Sequence, residues 1–201
     1  MCQWKVRAII IPMLATSFLF LSCGRKCAPY PENMAKFMPV QYNGGELKYL
    51  IGKDTCFLTV ETLLLDNGYK LTQRDLDLMD YCESFATQSV GNKDSYLIEY
   101  TQRRAMEGVV VQYSMNISHM ERQQEERVQF SYDFEDTAFG ESFHYKIFSE
   151  YTASTGKTYG PVLFWVDWTK DSVWVSYDEG LVRYVPAQSD STALGQVWQL
   201  L

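Results

Sequence analysis

The alternation of apolar and polar residues through the C-terminal half constrains this chain more than any other feature. "VVVQYSMNISHM" sets Val109, Val111, Tyr113, Met115 and Ile117 against Gln112, Ser114, Asn116 and Ser118. "RVQFSYDFE" does the same with Val128, Phe130, Tyr132 and Phe134, and "SFHYKIF" with Phe143, Tyr145 and Ile147. "GPVLFWVDW", "SVWVSYD" and "GLVRYVP" complete six such segments. A side-chain period of two belongs to a strand with one packed face and one wetted face. The connections "ERQQEE", "EDTAFGE", "STGKTYG", "TKDS" and "DEG" are short, so consecutive strands are expected to be antiparallel neighbours in a meander. Aromatic residues make up 15% of the 201-residue chain, an excess that favours β structure.

Upstream the period reads differently. "DTCFLTVETLLLDNG" places Cys56, Val60, Leu63 and Leu64 at helical spacing and ends on Asn67-Gly68, a helix stop. "LTQRDLDLMDYCESFA" begins with Thr72 and Asp75 in capping-box positions, and Leu78, Met79, Cys82, Phe85 and Ala86 share a helical face. Residues 54–86 are therefore expected to form an antiparallel helical hairpin, although Phe57–Leu65 is also rich enough in β-formers for a buried strand. The expected fold class is α+β: an N-terminal helical hairpin packed on a C-terminal antiparallel β-sheet, in a single globular domain over residues 46–201.

The N-terminus carries an address. Lys5 and Arg7 precede an apolar run from Ala8 to Leu21, shorter than the roughly 20 residues a spanning helix needs, which is the pattern of a secretory leader. The residues alone also allow a short uncleaved anchor, or an ordinary leader with Cys23 incidental. Phe20-Leu21-Ser22-Cys23 resembles the lipobox of bacterial lipoproteins. The resemblance covers residues 1–23 and implies removal of residues 1–22, a diacylglycerol thioether on Cys23 and, in most such proteins, N-acylation. Two or more acyl chains anchor stably, at about 0.8 kcal/mol per buried methylene. With Gly24 rather than Asp after Cys23, and with basic Arg25 and Lys26, the resemblance implies the outer membrane and its periplasmic face. Residues 23–45, with Pro29, Pro31, Pro39 and Gly44-Gly45, read as a tether between lipid and domain.

The chain carries 18 basic and 25 acidic residues, a net charge of −7. Loss of Lys5 and Arg7 with the leader would make the mature protein more acidic still. A surface of that sign argues against nucleic acid as a partner.

Few constellations point to chemistry. Of five cysteines, Cys2 leaves with the leader and Cys23 takes lipid. In a helical hairpin Cys56 and Cys82 would meet at one end, where a disulfide would contribute roughly 3 kcal/mol in an oxidising compartment; two buried free thiols are the alternative. Three remaining cysteines with only His119 and His144 lack zinc-ligand spacing, so no metal or other cofactor is expected. Gly156-Lys157-Thr158 resembles the end of a phosphate loop, but Tyr151 stands where that motif needs glycine, and a turn between strands is the expectation. His119, Glu121, Glu125 and Glu126 read as the solvated tip of a hairpin, and no catalytic set emerges.

The aromatic content offers a surface instead. An even loop at "TKDS" would put Phe164, Val166 and Trp168 on one sheet face with Val173, Val175 and Tyr177. Trp165 and Trp174 would then share the other face beside Asp167 and Ser176. Such a face either lies beneath the helices or binds a sugar or protein partner. The expected role is thus a lipid-anchored envelope protein acting as a non-enzymatic structural or binding module. The rivals are an envelope hydrolase or glycan-processing enzyme, which would draw on Glu121, Asp167, Asp178 and the two histidines, and a carrier of small apolar ligands.

Overall fold

The computed structural model describes residues 35–201, apart from 75–76, 93–94, 106–109, 122–123, 136–144, 168 and 191. The leader and Cys23 lie outside the described residues. The chain runs through β1 (Glu46–Ile51), β2 (Asp54–Val60), β3 (Leu64–Arg74), β4 (Asp77–Gly91), β5 (Tyr96–Ala105), β6 (Val110–Glu121) and β7 (Gln124–Glu135). It continues through β8 (Tyr145–Phe148), β9 (Tyr151–Thr152), β10 (Thr158–Tyr159), β11 (Val162–Val166), β12 (Ser172–Ser176), β13 (Gly180–Val185) and β14 (Trp198–Leu200).

Among the described residues there is no α-helix, and the expected α+β class is wrong: the fold is all-β, an antiparallel sheet curled into a half-barrel. The segment read as a helical hairpin forms β2, β3 and most of β4. In β2 the burial alternates, with Leu58 and Val60 enclosed and Phe57 out, which is period two rather than 3.6. Asn67-Gly68, read as a helix stop, pairs in mid-strand with Ser84 and Glu83 of β4. The helical reading failed because apolar residues four apart lie on one face of a strand as well as of a helix.

Twelve strands make one sheet in the order β7-β6-β5-β4-β2-β1-β14-β13-β12-β11-β8, with β3 pairing β4 beside β2. β9 and β10 form a separate small hairpin. The six segments read as strands are all present, but they do not form one continuous meander. β7 and β8, consecutive in the chain, lie at opposite ends of the sheet. The C-terminal β14 closes the middle, pairing β1 through Ile51↔Trp198 and β13 through Tyr184↔Trp198.

The concave side is the core. Ala86, Val90, Ile98, Tyr100, Tyr113, Met115, Ile117 and Phe130 from β4–β7 face Tyr49, Val173, Val175, Leu181, Tyr184 and Trp198 from the other half. The curl brings the two halves into contact: Leu181 N donates to Tyr100 Oη at 2.9 Å, and within its own half Leu181 O accepts from Tyr49 Oη at 2.7 Å. Residues 35–42, read as tether, plug this side. Phe37 and Met38 are fully buried, Tyr113 Oη donates to Phe37 O at 2.8 Å, and a 3-10 turn at Val40–Tyr42 leads into β1. The convex side of β4–β6 is polar, presenting Thr87, Ser89, Glu99, Thr101, Ser114 and Asn116.

Candidate functional site

The hairpin from β11 to β12 decides which tryptophan faces out. Val166 pairs with Ser172, so the loop spans residues 167–171, an odd number rather than the even one expected. Asp167 builds that loop: its Oδ1 accepts from Thr169 Oγ1 at 2.6 Å and from Asp171 N at 2.9 Å. The register that follows is Phe164↔Trp174 and Trp165↔Val173. Residues directly opposite share a face, so Trp165 and Trp174 lie on opposite faces and the expected pair does not form. Trp165 lies on the concave face with buried Val173 and Trp174 on the convex face with Phe164; both tryptophans are half-buried and packed against core residues.

Trp174 belongs to a row running across four strands. Lys146 of β8 pairs with Phe164, Phe164 with Trp174, and Trp174 with Arg183 of β13. The Phe164 and Trp174 ring centroids are 4.8 Å apart, tilted by 43°. Phe148 extends the row at 6.2 Å from Phe164 and is 40% exposed. A register shift between Trp174 and Val175 leaves Val182 as an extra residue in β13. That bulge lets Leu181 and Tyr184 both reach the core while Arg183 turns outward. The Arg183 guanidinium lies 5.4 Å from the centroid of the Trp174 ring. An arginine over an indole gains a cation–π attraction that strengthens as water is excluded.

The β9–β10 hairpin walls one side of the row. Tyr151 lies 5.9 Å from Trp174, and its hydroxyl accepts from Arg183 Nη1 at 3.3 Å. The hairpin is pinned to the turn before β13 by Lys157 Nζ, which donates to Glu179 Oε2 at 2.8 Å, and Tyr42 Oη donates to the same oxygen at 3.2 Å. Burial opposes the Lys157 charge, but the Glu179 hydrogen bond and neighbouring oxygens hold its pKa above the ordinary lysine value. Burial and the Glu179 charge together push Tyr42 up. Gly156-Lys157-Thr158 is accordingly a turn between strands, with Gly156 at φ +85°.

The other residues singled out in the sequence do not converge. Cys56 is a free thiol. β2 and β4 pair only at Thr59↔Gly91 and Val60↔Val90, and Cys56 and Cys82 lie on opposite sides of that crossing. The backbone thus separates them by some twelve register positions, roughly 40 Å at about 3.3 Å per residue, whereas a disulfide needs Cα atoms within about 7 Å. Burial, then the Asp54 carboxylate, raises the Cys56 pKa against an opposing hydrogen bond with Tyr96, which leaves it a protonated thiol at neutral pH. His119 is not at a solvated tip; it is 9% exposed and stacks on Tyr96 at 4.6 Å. His144 lies outside the described residues. Asp167 is committed to its loop, and burial raises Asp178 in the turn at residues 177–179.

Two open clefts flank the sheet. One of about 560 Å³ is bordered by Glu61, Thr87, Glu99 and Thr101, and one of about 460 Å³ by Glu126, Asp171 and Asp190. Both linings mix carboxylates and hydroxyls with apolar side chains, Leu63 and Leu64 in the first and Val128 and Leu194 in the second. Among the described residues no group of three or more His, Cys, Asp or Glu side chains could hold a metal ion.

Sequence reasoning found Trp174 but missed Lys146, Phe148, Tyr151 and Arg183. Lys146 and Phe148 were legible as the outward positions alternating with Tyr145 and Ile147. Arg183 needed the bulge, and Tyr151 the docking of a distant hairpin. The chain is thus an all-β half-barrel with a mixed aromatic and basic row on its convex face. No family model, curated protein or solved structure matches it.

Proposed function

We propose that this chain is a lipid-anchored protein of the bacterial cell envelope, attached through Cys23 to the outer membrane on its periplasmic side. It acts there as a non-enzymatic binding module for a protein or glycan partner through the Phe164–Trp174 row. The observation that carries the reading is that row itself: two stacked aromatic rings on a sheet face that the fold leaves half-open, bracketed by two cations. Aromatic faces beside polar groups concentrate binding energy at such surfaces. The lipobox resemblance supports the anchor. From Cys23 to Ala35 a fully extended chain covers at most about 40 Å, so the binding face would work close to the bilayer.

Full-length protein in detergent, mixed with isolated cell-wall and outer-membrane material and pelleted, tests the surface. The Phe164→Ala/Trp174→Ala double variant is expected to lose at least tenfold in apparent affinity while keeping its far-UV dichroism. Undiminished pelleting of a folded double variant would reject the surface. Acyl labelling of the wild type that disappears in Cys23→Ser is the matching result for the anchor, and labelling that persists would remove it.

A further inference from the structure

We infer that the row binds a carboxylate-bearing saccharide, an inference that rests on the binding-module reading and names its ligand class. Arg183 is the reason. Its Nη1 donates to Tyr151 Oη, but its Nε is buried without an acceptor, and among the described residues no carboxylate pairs with it. Nε is closed to solvent, so a ligand would meet the guanidinium of this half-exposed residue through its outer nitrogens, where a charged acceptor binds most strongly. The guanidinium fork lies beside the Trp174 ring, where one ligand could stack an apolar ring face on the indole and direct a carboxylate to Arg183. At the other end of the row Lys146 is exposed and also unpaired among the described residues.

The spacing fits a sugar chain. Lys146, Phe164, Trp174 and Arg183 sit on four adjacent strands, so the row spans three strand spacings, roughly 14 Å. Successive rings of a sugar chain could follow Phe164 and Trp174, whose centroids are 4.8 Å apart, with acidic groups at the two cations. An extended peptide is a poorer match. β11, β12 and β13 are each hydrogen-bonded on both sides, so the row from Phe164 to Arg183 offers no free backbone edge, and a peptide could add only at β8, beyond the Lys146 end. A bilayer is poorer still, because Trp174 and Phe164 lie half-buried against the sheet instead of protruding from it. The two cations form a basic island on a chain of net charge −7, so the attraction is local and specific to the row.

The test is tryptophan-fluorescence titration of the full-length protein in detergent with a galacturonate oligosaccharide and with its methyl ester, which keeps the ring and removes the charge. The acid form is expected to bind at least tenfold more tightly than the ester. Arg183→Gln should collapse that preference. Trp174→Ala should abolish binding of both, and Trp174→Tyr, which keeps an aromatic face, should restore part of it. Equal affinity for acid and ester would overturn the carboxylate assignment while leaving the surface in place. Failure of both probes, with envelope pelleting still dependent on Trp174, would overturn the saccharide and spare the module. Binding to anionic phospholipid vesicles that depends on Trp174 and Arg183, without binding to the oligosaccharide, would overturn it in favour of a lipid headgroup.

Discussion

Leu181 is gripped by two tyrosines, Tyr100 from the opposite half of the sheet and Tyr49 from β1 two strands away: its N–H donates to Tyr100 Oη and its carbonyl accepts from Tyr49 Oη. Leu181 also keeps its register partner Val175, and the two tyrosines satisfy its buried N–H and carbonyl. Tyr100→Phe would leave a buried amide without an acceptor, and should lower the unfolding free energy by about 1–3 kcal/mol in a urea titration. A variant as stable as the wild type would mean that water reaches Leu181. Gly180 permits this approach. It sits at φ +73°, and a Cβ there would lie 2.9 Å from both Tyr100 Oη and Pro39 Cδ. Phe37 shows the same economy of space in reverse: a non-glycine residue at φ +60° held by edge-on contacts with Tyr113 and Tyr177. The alternation in the sequence announced Tyr113 as a core residue. Nothing local announced Phe37, because its burial depends on a concave surface made by strands far along the chain.

At the scale of elements, the β9–β10 hairpin controls how much of Trp174 is open. Its clamp is the Lys157–Glu179 ion pair, partly exposed and so worth at most about 1 kcal/mol. Glu179→Gln should therefore leave global stability nearly unchanged yet raise acrylamide quenching of tryptophan fluorescence as the hairpin loosens. Unaltered quenching would place the hairpin's stability in Tyr159 and Ala153, both buried. The failed helical hairpin belongs to this scale too. Residues 59–74 run as nearly one strand against β4, interrupted at 61–63, where Glu61 N still donates to Ser89 O and Gln88 Nε2 bonds both Glu61 O and Asn43 Oδ1. Such a break disturbs the period of two just enough to make 3.6 plausible. The pairing partner that resolves the ambiguity, β4, lies well downstream.

Across the whole molecule, the buried tyrosines set an alkaline limit. Burial pushes Tyr49, Tyr113, Tyr100 and Tyr184 well above the ordinary phenol value. In the unfolded chain these groups ionise near pH 10, so the folded state holds their protons when the unfolded state has released them. Stability is then complete below about pH 10 and falls as pH rises further. The last part of the tyrosinate absorbance, from these four of the 14 tyrosines, should rise only with the loss of β-sheet dichroism, and complete ionisation ahead of unfolding would contradict the enclosed core. The sequence by itself determined the six C-terminal strands and the inward residues of β6, since these depend on the side-chain period. Only the tertiary structure decided that the N-terminal segment joins the sheet, that β14 closes its middle, and that Trp165 and Trp174 part company. Each of those outcomes depends on loop parity, a single-residue bulge or a pairing between strands far apart in the chain, and a shift of one residue reverses which face every side chain occupies.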